Sequence, residues 1–315
     1  MRVALLAAVT SFVLLWTPHV AQAQGTAVPA FTLKQVGPNV WAAIDNPAAK
    51  GVAAANSGFV IGDDGVAVID SFMSAAAAKE LLSEIRRRTK LPIKFVVNTH
   101  YHLDHVAGNG VFADAGATIV AHRNVRRWIR TENVRLVGDN APPDIRAMIE
   151  GFRSPSVVYT EDIKLYLGAR HVHVRFFPGH TGGDSVVFVP DANVAFAGDL
   201  LWRRILPNMV DGTTTAWMAT LDTLAKTNAR YTFVPGHGDV ANAGDVGALR
   251  DYFGALLKVV GDVQRQGKSG VALVEAATPP LRKTYGRWDS FAGLVTSNIR
   301  DMEAELSGRK RVPQP

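Results

Sequence analysis

Apolar positions along the chain fall into short runs first and longer periodic stretches later. Residues 36–44 read as one strand interrupted at Gly37-Pro38. Two apolar runs, 58–61 and 66–70, flank Gly62-Asp63-Asp64-Gly65 and predict a hairpin. Residues 75–88 are rich in Ala, Leu and Glu and predict a helix with Ser74 as its N-cap and Leu91-Pro92 beyond its end. The run 93–98 is a short strand of the fully buried kind, followed by a strand at 117–120 and a helix from Arg123. Residues 132–155 lose the pattern around Pro142-Pro143, and a loop of that length is expected to serve a purpose, such as a lid. Strands return at 164–167, 172–177, 185–189 and 194–197. A helix is predicted at 216–224, a strand at 232–234, and helix from Asp245 onward. No fixed-period repeat is present. Two sets of strands, each with helices, predict an α/β protein with two sheets covered by helices.

The N-terminus departs from this pattern. Arg2, the apolar run 3–16 and Ala21-Gln22-Ala23 make a charged start, a greasy segment and a small-x-small cleavage site. The run is shorter than the ~20 apolar residues of a spanning helix, so a stable membrane anchor is not expected. The expectation is a signal peptide at 1–23, one domain at 24–308 and a basic tail at 309–315, solvated and frayed. The protein would then be periplasmic or secreted. The chain has 315 residues, 47% hydrophobic and 20% charged, a globular mixture with ample core. It contains no cysteine, so no disulfide and no thiolate ligand is available. The net charge of +6 comes partly from the tail and partly from Arg123, Arg126, Arg127 and Arg130, spaced along one helical stripe. That stripe reads as a solvated face. No nucleic-acid motif accompanies it, and the oligomeric state is not legible.

The chemistry concentrates in Thr99-His100-Tyr101-His102-Leu103-Asp104-His105. On extended backbone, His100 and His102 point to the same side and can share a metal ion. Asp104 and His105 follow where the chain turns into a helix, which aims them at a second point. Further donors occur after other apolar runs: His180 in Gly179-His180, Asp199 in Gly198-Asp199, and His237 in Gly236-His237. Glycine before each donor permits a sharp turn and a close approach. His122 reads as structural. His171 and His173 alternate with Val172 and Val174 and read as the wet face of a strand.

The set His100-x-His102-x-Asp104-His105, then His180, Asp199 and His237 in that order, resembles the metallo-β-lactamase fold superfamily over residues 31–239. The run 66–70 is also similar to that family's strand ending in a buried aspartate. The resemblance implies an αββα four-layer sandwich. It implies that His100, His102 and His180 hold a first metal, that Asp104, His105 and His237 hold a second, and that Asp199 bridges them or leans to the second. Imidazole and carboxylate donors suit Zn²⁺, two per chain, and relatives with a redox diiron centre usually carry an acidic residue where His102 stands. The implied reaction is attack of metal-bound hydroxide on the carbonyl of a cyclic amide, ester or thioester, with Asp104 as the catalytic carboxylate that orients or moves the proton. No G-x-S-x-G elbow is present. Asp70 and Asp184 are expected to orient ligating imidazoles. Trp202 is expected to wall the site, and Arg203 or Arg204 to pair with a small-molecule substrate if it bears a carboxylate. Arg282, Lys283, Tyr285 and Trp288 belong to a helical cover that could add contacts.

Asp199 separates possible functions. β-Lactamases of this superfamily generally carry cysteine or serine there, whereas hydroxyacylglutathione hydrolases and lactonases carry aspartate. The export signal points instead to substrates met outside the cytoplasm. The alternatives are therefore a hydroxyacylglutathione-hydrolase-like thioesterase or lactonase, an iron-dependent oxygenase of the same fold acting on sulfur compounds, and a non-enzymatic protein that keeps the metal for stability.

Overall fold

The computed structural model describes residues 28–226 and 230–313, so the expected signal peptide at 1–23 lies outside the described residues. The chain opens with β1 (Phe31–Gly37) and β2 (Val40–Asp45), an antiparallel pair turning at Pro38-Asn39. The single interrupted strand expected at 36–44 is thus two strands. Asn39 takes φ 57°, a left-handed conformation that asparagine tolerates in a tight turn. The predicted hairpin is β3 (Ser57–Ile61) and β4 (Val66–Ile69). Helix α1 (Ala75–Arg88) follows, with Ser74 accepting from the Ala77 N–H as its cap. Its Ala77, Ala78, Leu81 and Ile85 form one buried stripe. Burying Leu81 and Ile85 contributes roughly 1.5–3 kcal/mol each.

Strand β5 (Ile93–Val97) leads through two short helices, α2 (Leu103–Val106) and α3 (Asn109–Asp114), to β6 (Thr118–His122). Helix α4 (Arg123–Trp128) begins where predicted. The segment expected to be a loop contains α5 (Thr131–Val137) and α6 (Pro143–Glu150), with Pro143 in the first turn, where it needs no hydrogen-bonded N–H. Proline there starts a helix instead of breaking one. Strand β7 (Val157–Tyr159) completes a seven-stranded sheet in sequential order β1 to β7, antiparallel through β4 and parallel from β4 to β7.

The second sheet contains β8 (Asp162–Leu167), β9 (Arg170–Phe176), β10 (Ser185–Val189) and β11 (Val194–Trp202). After α7 (Thr214–Lys226) comes its last strand, β12 (Thr232–His237). Its order is β12-β11-β10-β9-β8, and only β11 and β12 are parallel. The chain ends in α8 (Ala243–Arg265), α9 (Gly270–Tyr285) and α10 (Phe291–Leu306).

Three layers of core account for the stacking. Val60, Ile69, Val97 and Val120 of the first sheet meet Val172, Val187, Val189 and Phe196 of the second. Phe59, Val68 and Val96, on the outer face of the first sheet, pack against Leu81, Ile85 and Phe112. Val186 and Ala195, on the outer face of the second, pack under Trp217, Tyr252, Phe253 and Ile299. Strands covered on both faces are continuously apolar, which is why β3 to β5 show no alternation. The result is an αββα sandwich.

Two surface expectations change. Arg126 and Arg130 do not stand free: Arg126 donates to the Pro155 carbonyl, and Arg130 donates to Glu150 O at 3.0 Å, Phe152 O at 2.6 Å and Ser154 Oγ at 3.0 Å. They staple α4 to the chain after α6. The tail is not wholly frayed either, because the Lys310 side chain is only 7% exposed and donates to Met209 O at 2.6 Å.

Candidate metal centre

The donors collect at one end of the sandwich, where β5, β9 and β12 finish and β11 passes. Past β5, His100 lies in a bend and His102 on extended backbone, and their ring centroids are 4.8 Å apart. Asp104 and His105 occupy the single turn of α2. His180 follows β9, and its Nε2 stands 2.9 Å from His102 Nδ1. Asp199 does not follow a strand, as its surroundings suggested, but lies inside β11. That strand runs on through Gly198, where the register shifts and φ is +50°. A side chain at Gly198 would lie 2.5 Å from Thr99 Oγ1, and one at Gly236 would lie 1.9 Å from Asp199 Oδ1. Gly236 leaves room for the carboxylate and Gly198 for the Thr99 side chain.

Two donor sets result. His100, His102, His180 and Asp199 each offer an atom within 4.8 Å of the others, and so do Asp104, His105 and His237. Asp199 reaches both. Its Oδ2 is 3.3 Å from His180 Nε2 and 3.3 Å from His237 Nε2, and its Oδ1 is 3.1 Å from His105 Nε2. Asp104 Oδ2 is 3.5 Å from His237 Nε2, and Asp104 also faces the cavity above.

Whether these residues fit a metal can be tested on their buried atoms. His100 Nε2, His105 Nε2, His237 Nε2 and Asp199 Oδ1 are buried without a hydrogen-bond partner. One orphaned polar atom is costly, and four within two adjoining clusters fit bound cations. The electrostatics agree. Burial, with His105 nearby, holds His100 well below the usual imidazole range, and burial brings His180 down to about 3, so both stay neutral as ligating imidazoles must. Burial also opposes charge on His105 and His237, but Asp199 and Asp104 outweigh it and raise both. Asp199 is buried, yet the surrounding histidines hold it well below the carboxylate range. The second cluster is a place where positive charge is favoured.

The supporting residues sort differently from expectation. Asp70 is 2% exposed and accepts from His105 Nδ1 at 2.8 Å, from the Thr99 N–H at 2.7 Å and from Thr99 Oγ1 at 2.7 Å. It fixes the orientation of the His105 ring. Asp184 instead accepts from the Thr181 N–H and Oγ1 at 2.7 and 2.5 Å, so it shapes the turn after His180 and leaves the imidazole alone. Trp202 stacks on His237 with ring centroids 3.9 Å apart and walls the cavity. Arg203 does not point to substrate. It donates to Asp245 at 3.3 Å, stands 4.0 Å from Asp239, and neither it nor Arg204 lines the cavity. Arg282 lies over Phe291, and Tyr285 and Trp288 pack on Tyr252, so the cover contributes through other residues. His122 is structural: it accepts from the Asn124 N–H at the start of α4 and stacks on Phe176. His173 pairs with Asp162 on the strand surface.

Three contributions were not anticipated. Asp211 is 2% exposed and lies 3.3 Å from His102 Nε2, while accepting from Tyr101 Oη at 2.6 Å and from Arg135. Burial opposes its charge, but these donors hold its pKa down at about 2. Followed by Gly212 and Thr213, it reads in sequence as an ordinary turn aspartate. Asn56 donates to Pro235 O and Gly238 O, pinning the turn that carries His237. Finally, α5 and α10 wall a cavity of about 770 Å³ over the donors. Leu136 and Val137 come from α5, and Leu294, Ser297, Arg300 and Asp301 from α10. Helix α5 is tied to the centre by the Arg135–Asp211 pair and by Asn133, which donates to Tyr101 O at 2.7 Å. Part of the segment expected to be a loop is therefore a helix in the cavity wall.

A two-sheet sandwich carrying adjoining His/Asp clusters beneath a cavity defines a metal-dependent hydrolase. The sequence profile of the metallo-β-lactamase superfamily matches residues 51–237, and the chain belongs to that superfamily. Among curated relatives, it is similar to a metallo-β-lactamase type 2 from Bacillus cereus, 24% identical over 220 residues, covering 68% of this chain and 78% of that one. A hydroxyacylglutathione hydrolase from Brucella anthropi is 25% identical over 271 residues, covering 81% and 92%. Among solved structures, a metallo-β-lactamase from Pontibacter korlensis shares the fold at a TM-score of 0.56 and 21% identity, covering 70% of this chain and 99% of that one.

Proposed function

We propose that this protein is an exported, dinuclear zinc hydrolase that cleaves a cyclic amide, an ester or a thioester. The observation that carries the reading is Asp199, which reaches both donor sets amid ring nitrogens that have no other partner. His100, His102 and His180 would hold one zinc and Asp104, His105 and His237 the other. The ions would supply Lewis-acid polarisation of a carbonyl and a water of lowered pKa. The chain's residues supply the rest. Asp104 faces the cavity beside the donors and is placed to accept a proton and return it to the leaving group. Trp202 holds the His237 ring by stacking and, with Leu103 and Val210, gives the reacting end an apolar wall. Asp70 and Asp211 fix the rings of His105 and His102.

Esters and thioesters are favoured over β-lactams. Aspartate stands at 199, and a hydroxyacylglutathione hydrolase aligns over most of this chain and of its own length. The export half of the reading rests on residues 1–23.

The test is turnover by purified protein of a thioester, a lactone and a chromogenic cephalosporin, with metals counted by mass spectrometry. We expect about two zincs per chain, chelator-sensitive cleavage of ester or thioester, and little or no cephalosporin turnover. Bound iron with oxygen consumption would replace the reading with the oxygenase one. Bound zinc without any turnover would favour a structural metal. N-terminal sequencing of protein recovered from the periplasm should begin at Gln24.

A further inference from the structure

The cavity's outer wall lies beyond the region that matches the superfamily profile. It is α10, which contributes Gly293, Leu294, Ser297, Arg300 and Asp301. Positions 293, 297 and 300 share one helical face, about 10 Å long at 1.5 Å per residue. The other face buries Val295, Ile299 and Met302 in the core, so the helix cannot rotate its cavity face away.

The charges on this wall do not cancel. Asp104 and Asp199 belong to the metal donors. Asp301 Oδ1 lies 3.9 Å from Lys310 Nζ, whose side chain is buried against the Met209 carbonyl. Burial raises Asp301 and lowers Lys310, and each counters the shift of the other. Asp301 thus has its own cation. Arg300 lines the same cavity and has no hydrogen-bond or ion-pair partner among the described residues. Its planar fork of N–H donors matches a carboxylate in two-point contact. The same cavity wall is apolar at Leu136, Val137 and Leu294. A ligand with an apolar stem and an anionic end complements those surfaces.

We propose that α10 is the substrate-selecting element and that Arg300 binds a carboxylate carried on the acyl chain, away from the scissile carbonyl. This rests on the hydrolytic reading above and names its substrate class: monoacyl esters or thioesters of dicarboxylic acids.

The probes are mono-4-nitrophenyl esters of glutaric, adipic and suberic acids, each paired with the neutral ester that has a methyl group in place of the free carboxylate. Arg300→Gln should raise KM for at least one carboxylate ester about five- to tenfold, leaving kcat within about twofold and the neutral partner unchanged. Arg300→Lys should retain part of the effect. Added salt should raise KM for that ester in the unmodified protein and do so less in Arg300→Gln. A side chain at Gly293 would meet nothing within 4 Å, so Gly293→Leu should fold and narrow the cavity, penalising suberyl more than glutaryl esters. Equal effects on charged and neutral esters, or no effect on either, would overturn the proposal. Binding of the corresponding mono-anilides, followed by tryptophan fluorescence, needs no turnover. If neither ester is cleaved but the anilide binds more weakly to Arg300→Gln, the hydrolytic reading fails and the anion site stands. If the anilide binds both proteins alike, the anion site fails.

Discussion

Asp211 does its work through a single ring nitrogen. By facing His102 Nε2 at 3.3 Å, it leaves Nδ1 as the nitrogen turned toward His180. Tyr101 and Arg135 hold the carboxylate in place from the other side. Asp211→Asn keeps the shape and removes the charge. Zinc affinity should fall about 10–100-fold, measured by competition with a chromophoric chelator, while the circular dichroism spectrum stays unchanged. Unaltered affinity would show that His102 needs no such partner. Asp211→Ala is the harsher change, because it strands a buried Tyr101 hydroxyl and a buried His102 nitrogen, at about 1–3 kcal/mol each. Gly236 belongs to the same scale: its missing side chain is where Asp199 Oδ1 lies.

At the scale of elements, the join of β6 to α4 contains a titratable cap. His122 accepts the Asn124 N–H only when its Nδ1 is unprotonated, and burial lowers its pKa from 6.5 to about 4. The sign follows from where the proton binds first. Between pH 6.5 and 4 the unfolded chain takes up a proton that the folded chain refuses, so stability falls as pH drops through that window. His122→Ser keeps an oxygen at the N-cap and removes the titration. The loss of melting temperature between pH 7 and pH 5 should be smaller in the variant, even though its lost stacking on Phe176 lowers the pH 7 value itself. An undiminished loss would place the acid sensitivity in the metal-centre histidines alone. The elements also show why some segments were readable. Helix α1 has a serine cap and an uninterrupted apolar stripe, so local chemistry and burial agree. Helices α5 and α6 are short, with Pro142-Pro143 at the start of α6, so their stability comes from packing on α4, not from their own pattern.

For the whole molecule, the metal centre is a joint between sheets. His100, His102, Asp104 and His105 follow a strand of the first sheet, while His180, Asp199 and His237 belong to the second. With no cysteine in the chain, no disulfide joins those layers, and a metal bound by both sets would tie them together. Zinc at a hundredfold excess over its dissociation constant should add about 2.7 kcal/mol per site, a rise in melting temperature on the order of 5–10 °C that chelator reverses. Scanning calorimetry with and without chelator checks this, and coincident melts would mean that the donors hold no metal in solution. Protons should compete: His100 and His180 are buried neutral, so metal-free protein loses stability as pH falls below the ordinary imidazole range.

What the sequence by itself determined is local. The alternation and apolar runs placed most strands and α1. The spacing of His100 and His102 put two imidazoles near each other, and the glycine before each distant donor marked a close approach. These are contacts along a few residues of backbone, where periodicity and dihedral preference act directly. Only the tertiary structure decided that Asp211 faces His102 across 109 residues of chain, that Asp70 orients a donor ring while Asp184 does not, that Arg203 pairs with Asp245, and that Arg300 stands on the cavity wall. Side-chain partners so far apart are set by which layers pack and in what register, and no spacing along the chain encodes that distance.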